Sequence, residues 1–196
     1  MMTYNPIFRS PITKSQLPHQ ASNLQLFDLT GVQVTLIQGE VGDGVPLAAV
    51  PVKPGEVVET AGGLLARLTP ANLYWFGLSP ATKLPSMAEL DDTFARNGRF
   101  AHATDLTHGK AVLKLVGAAS RDVLSKICGL DFDERKFPNL HAAQTSAAKI
   151  KTLIVRADQA GLLTYFLQVE RSLGQYFWEV VWDAGQEFGI SSPPAD

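Results

Sequence analysis

The sequence predicts an α+β fold built from split β-α-β (ferredoxin-like) units in two related halves. Three observations lead there. From 111 onward, apolar runs and helical stripes follow the order strand, helix, two strands, helix, which is much of a split β-α-β sandwich. A strand–helix segment over 72–98 precedes that order, with the junction near Phe100. The chain has 196 residues, 45% of them hydrophobic, enough for a sizeable core without disulfides or metals.

Charge and cysteine content narrow the class. Charged residues make up 18%, below the roughly 25% of an average soluble domain, which points to surface covered by a partner. Lys plus Arg number 17 against 19 Asp plus Glu, a net charge of −2, so no electrostatic footprint for nucleic acid or an anionic membrane is present. Cys128 is the single cysteine, which excludes an internal disulfide and every multi-cysteine metal site. No apolar run is long enough to span a bilayer, and 1–20 lack a basic region followed by an apolar core. A reducing, cytoplasmic setting is expected.

The elements read in order as follows. Residues 1–23, with Pro6, Pro11 and Pro18 and no apolar period, are expected to form an extended arm. Val32, Val34 and Leu36 alternate with polar residues as in a half-buried strand, and the glycines at 39, 42 and 44 mark a loop. Strands are expected over 64–68 and 72–78 around a turn at Thr69, Pro70 and Ala71. Ser86 and Glu89 have capping-box spacing, Met87, Leu90 and Phe94 follow at helical spacing, and Gly98 supplies a left-handed stop. That predicts a helix over 86–97. Strands over 100–106 and 111–116 flank Thr107, His108 and Gly109. Gly117 opens a helix striped by Ala119, Val123, Leu124, Ile127 and Cys128 and stopped by Gly129. After a polar excursion over 131–139, strands are expected at 142–146, 149–156 and 162–170. Ser172 and Gln175 have capping-box spacing before a final helix with Leu173, Phe177, Val180, Val181, Ala184 and Phe188 on one face. Gly189 ends it, and 191–196 are expected to fray. The domain proper is thus 24–190, with halves at 24–99 and 100–190.

The run TDLTHGKAVLKLVGAASRDVL over 104–124 resembles a motif of the T-protein and folate-binding aminomethyltransferase superfamily. Phe137-Pro138, Gln144-Thr145, the apolar strand to Val169, the Arg171-Ser172 junction and the segment Leu68 to Trp75 are similar to the gamma-subunit family of heterotetrameric sarcosine oxidase. The match covers about 60–190. Lys110 stands where the superfamily usually has Arg, Thr69 replaces a Gly, and the aspartate-rich folate motifs find no counterpart. The resemblance implies the folate-binding fold of the T-protein and a non-catalytic subunit in the oxidative demethylation of sarcosine to glycine. It places FAD, FMN and NAD in larger partner subunits and none on this chain alone, with tetrahydrofolate a candidate ligand. The alternatives are a free-standing folate-binding or aminomethyltransferase-like protein, and a catalytically silent homo-oligomer.

Candidate site residues are few. Asp105 and His108 are spaced so that a turn can pair carboxylate with imidazole as an oriented base, or so that Asp105 or Thr107 simply caps backbone amides. No G-x-S-x-G supplies a nucleophile, and the glycines at 39, 42 and 44 form no G-x-G-x-x-G. The helix start at Gly117 with Arg121 offers an anion site, which Asp122 can instead satisfy internally. Asp105, His108 and Arg121 are therefore the folate or anion candidates. His19, His102 and His141 share no metal-ligand spacing, and Cys128 is expected to be a buried thiol. Tyr176, Trp178 and Trp182 lie off the main stripe of the last helix and, with Phe8 of the arm, are expected to form an interface.

Overall fold

The computed structural model describes residues 9–12, 23–41, 49–79, 81 and 84–192. Its elements run β1 (Gln25–Asp28), β2 (Val34–Gly39), β3 (Val57–Thr60), β4 (Gly63–Thr69), β5 (Asn72–Gly77), α1 (Met87–Arg96), β6 (Ala101–Asp105), β7 (Lys110–Val116), α2 (Ser120–Ile127), β8 (His141–Ala147), β9 (Ile150–Arg156), β10 (Thr164–Glu170) and α3 (Gly174–Gly185). They build two five-stranded sheets, ordered β3-β4-β5-β2-β6 and β1-β7-β10-β9-β8. Every strand pairing within them is antiparallel, so β7 and β8, joined through α2, run in opposite directions with β10 and β9 between them. The α+β class is as expected.

Three apolar clusters define four layers. Ile37, Leu65, Leu73 and Trp75 of the first sheet pack against Leu90 and Phe94 of α1. Val34, Leu64, Ala66 and Phe76 meet Val112, Leu153, Val155 and Phe166 of the second sheet. Leu113, Leu115, Tyr165 and Leu167 on the far side meet Val123 and Leu124 of α2 and Phe177, Trp178 and Val181 of α3. Strands β4 and β10 therefore bury both faces, and a strand buried on both faces carries a continuous apolar run instead of alternation. The sheets do not follow the expected halves. β1, from the first range, joins the second sheet, and β6, from the second range, joins the first.

Local signals hold where they are self-contained. Ser86 and Glu89 form the capping box of α1, and Gly98 is left-handed at φ 63°. The β4–β5 hairpin turns at Pro70 and Ala71. Cys128 is a buried free thiol.

Others are overridden by neighbours. Ser172 and Gln175 form no capping box: Arg171–Leu173 is a 3-10 turn and α3 starts at Gly174 without a side-chain cap. Gly174 lies so close to Ala111 and Pro11 that an added Cβ would sit 2.8 Å and 2.9 Å from their carbons, and this packing sets where the helix begins. α2 stops because Cys128 is extended (φ −138°) and bridges Ala147, not because of Gly129. Lys149, expected within a strand, instead shares a two-residue hairpin turn with Ala148, at φ 66° and 50°. Turns of this kind favour Asn-Gly. Here the tip is held by the Ala148 amide donating to the Ile127 carbonyl (2.8 Å) and the Tyr176 hydroxyl donating to the Ala148 carbonyl (3.1 Å). The strand expected from 162 starts at Thr164, and Leu162 is exposed.

Both expected termini are tied down where they are described. Ile12 is buried in the core beneath α2 and α3, and the Ser10 hydroxyl donates to Asp28 (2.6 Å). Ser191 is buried, and its amide and carbonyl bond to Leu24 and Leu26 alongside β1. Phe8 and the other apolar residues expected on the arm, apart from Ile12, lie outside the described residues.

Candidate functional site

Asp105 ends β6, and its Oδ1 accepts from the Thr107 amide (2.8 Å). The Thr107 hydroxyl accepts from the Val34 amide (3.0 Å), so this turn fastens the crossover between the sheets. His108 sits in the following 3-10 turn, Thr107–Gly109. β7 then carries the chain about 20 Å along the sheet before Gly117 and Arg121. Arg121 is paired with Glu134. The three residues proposed from sequence therefore do not converge. Gly117 (φ 132°) answers a packing need: an added Cβ would lie 1.9 Å from the Asn23 carbonyl oxygen. Asp105→Ala is expected to cost about 1 kcal/mol, the loss of one turn hydrogen bond, and His108→Ala less than that. Urea midpoints compare them; a loss of several kcal/mol at His108 would contradict this placement.

A cleft does open at one end of the inter-sheet layer. Tyr74, Lys110, Gln144, Lys151, Gln168 and Glu170 line it, and its enclosed volume is about 20 Å³. Gln168 is 7% exposed, and among the described residues its buried Oε1 has no hydrogen-bond partner. Lys110 is committed to Glu170 across the β7–β10 pair. The cleft offers a buried acceptor with charges of both signs around it, suited to one small polar group. Deeper between the sheets, Phe76 and Phe166 pack with their rings 5.8 Å apart. Asp105, His108 and Arg121, the residues expected to meet folate or an anion, lie outside this cleft.

The strongest charge cluster lies elsewhere and escaped the sequence reading. Arg156 is 4% exposed at the end of β9. Its Nε and Nη2 donate to Asp158 (3.1 and 2.7 Å), and its Nη1 donates to Glu134 (2.6 Å) and to the Phe137 carbonyl (2.9 Å). Burial alone would depress the guanidinium, but its hydrogen bonds to the Asp158 and Glu134 carboxylates outweigh that and raise its pKa. Glu134 is held below its ordinary range, first by the Arg156 hydrogen bond. Burial pushes the Tyr165 hydroxyl up, opposed by the nearby Arg121 guanidinium. The cluster pins the excursion over 131–139, whose Phe132 and Phe137 enter the core, onto the second sheet. Its only sequence trace is Arg156 and Asp158 closing an apolar strand. A second buried arginine, Arg67, donates to the carbonyls of Pro51, Pro70 and Val41 and holds the loops at that end of the first sheet. Both arginines serve the fold. Among the described residues no group of three or more His, Cys, Asp or Glu could hold a metal ion, and no helix is long and apolar enough to cross a membrane.

The interface candidates separate. Trp178 is 5% exposed and belongs to the core of its own chain, which corrects the expectation that it awaits a partner. It is covered because α2 packs beside α3 and closes the face that a lone helix would leave open. Trp182 is half-buried and stacked on it at 6.4 Å. Tyr176 is 45% exposed.

Known proteins place this architecture. A chain of the heterotetrameric sarcosine oxidase from Corynebacterium sp. U-96 superposes with a TM-score of 0.70 at 22% identity, covering 87% of this chain and 88% of that one. Glycine cleavage system aminomethyltransferase T from Bartonella henselae matches at TM-score 0.64 and 14% identity, over 87% of this chain and 48% of that one. In sequence, sarcosine oxidase subunit alpha of Corynebacterium sp. (strain P-1) is 36% identical over 91 residues, 45% of this chain. The chain spans only 9% of that curated relative. Residues 56–193 match the GCVT N-terminal domain, about seven-tenths of the sequence. The superfamily expected from the 104–124 motif is borne out: this chain belongs to the GCVT N-terminal domain family.

Proposed function

We propose that this chain is a non-catalytic, gamma-type subunit of a heterotetrameric, sarcosine oxidase-like flavoenzyme of the cytoplasm, which converts sarcosine to glycine by oxidative demethylation. One observation carries the reading. This chain and a chain of a heterotetrameric sarcosine oxidase cover each other almost end to end, so they agree in length as well as fold. The residues support it, because Asp105, Thr107 and Arg121 are engaged in local bonds instead of facing a shared cavity. In this reading FAD, FMN and NAD reside in the larger subunits, folate chemistry is theirs too, and Trp182 and Tyr176 contribute to the contact with them.

Co-expression with the larger subunits tests it. The chain alone is expected to show no visible flavin absorbance, no peroxide from sarcosine and no thermal shift with tetrahydrofolate, and with the larger subunits it is expected to elute in one flavin-containing peak. Stoichiometric folate binding by the isolated chain would instead favour the free-standing folate-binding reading. A self-associating chain that ignores the larger subunits would overturn the assignment.

A further inference from the structure

The edges of the two sheets meet at β3 and β8. Glu56 and His141 form an antiparallel bridge there, the Val57 amide donates to the Leu140 carbonyl (3.0 Å), and the Ala142 amide donates to the Gly55 carbonyl (2.8 Å). Two features mark this seam as tight. Gly55 (φ 90°) approaches the His141 ring so closely that an added Cβ would lie 2.6 Å from Cε1. Leu140, next to the histidine, is a non-glycine residue in the left-handed region at φ 57°. Such strain persists only where surrounding structure enforces it.

His141 fills the seam. Its half-buried ring stands edge-on to Phe137, with centroids 4.9 Å apart at 90°. Among the described residues neither ring nitrogen has a hydrogen-bond partner. The charged groups around it offer an imidazolium nothing. Arg156 lies across the β8–β9 pair and carries the same sign, while Glu134 and Asp158 are bonded to that arginine. Across the bridge, the Glu56 carboxylate is turned to the amides of Val52 and Lys53, with Arg67 and Lys53 near it.

We propose that the seam between the two sheets is a proton-sensitive latch, closed while His141 is neutral and loosened when its imidazole takes up a proton. Burial lowers the His141 pKa in the closed seam. The sign follows: an open seam binds the proton more readily, so closure is fully favoured above the ordinary histidine value near ~6.5 and weakens as pH falls through it toward the lowered closed-state value. Linkage to one imidazole bounds the gain in opening between pH ~7.5 and ~5.5 at about tenfold.

Hydrogen exchange on the full chain reads this directly. After correction for intrinsic rates, the Val57 and Ala142 amides are expected to lose protection several-fold to about tenfold over that range, while Leu113 and Leu167 within the β7–β10 ladder do not. In His141→Gln and His141→Phe the protection of the seam amides, corrected in the same way, is expected to be independent of pH, whatever its baseline. The idea fails if the seam amides of the parent follow the ladder amides across this range, or if either variant retains the pH response.

Discussion

Trp178→Ala is expected to cost about 3–5 kcal/mol, the range for truncating a large buried aromatic, and to do so without any partner present. Trp178 sits among Phe177, Val181 and the aliphatic side chains of α2, with almost no surface left to a second chain. Removing the indole leaves a cavity that the packed layer of α2 and α3 cannot fill. Trp182→Ala, at the half-buried end of the same stacked pair, is expected to cost about 1–2 kcal/mol and to act more on association than on fold. Urea midpoints at unchanged slope, set beside sizing of the assembled complex, separate the two effects. Equal losses for both variants, or a stable Trp178→Ala, would return Trp178 to the surface.

Arg156→Ala is expected to cost about 3 kcal/mol, at the low end for breaking a buried ion pair because Glu134 keeps 55% of its side chain exposed and remains hydrated. The loss strands the Phe137 carbonyl and one face of Asp158 and frees the excursion over 131–139. Arg156→Lys should recover little of it. One ammonium cannot replace a fork that reaches Asp158 with two nitrogens and Glu134 and Phe137 with a third. Arg121→Ala, whose partner is the same exposed carboxylate, should cost at most about 1 kcal/mol. The cluster also sets an acid limb. Glu134 has its pKa lowered from 4.5, so its contribution is present above that value and lost as pH falls through the lowered one. Glu134→Gln should flatten the decline in stability below pH 4.5. An unchanged slope, or an Arg156→Lys protein as stable as the parent, would show that the cluster does not hold the excursion.

The sequence by itself determined whatever is written within a few neighbouring residues. The Ser86–Glu89 box and the Leu90–Phe94 stripe specify α1 because capping and helical spacing are local geometry. Gly98 follows the end of α1, and Gly189 ends the 3-10 turn Gln186–Phe188 that continues α3, because a positive φ is cheapest at glycine. The 104–124 motif carried the family, since it is one continuous stretch from the end of β6 through the Thr107–Gly109 turn and β7 into α2. Tertiary structure alone decided the rest. Alternation marked the strand around Val34 and Leu36, but nothing local announced β1 or said which sheet would take β1 and β6, and each joined the sheet of the other half. Trp178 looked unpartnered because a helical stripe counts faces, not neighbours, and α2 supplies the neighbour. Ala148 and Lys149 adopt a turn their own preferences oppose because α2 and Tyr176 hold its tip. Arg156 finds Glu134 across 22 residues of chain, a distance at which pairing depends on the packed sheet and leaves no periodic mark in the sequence.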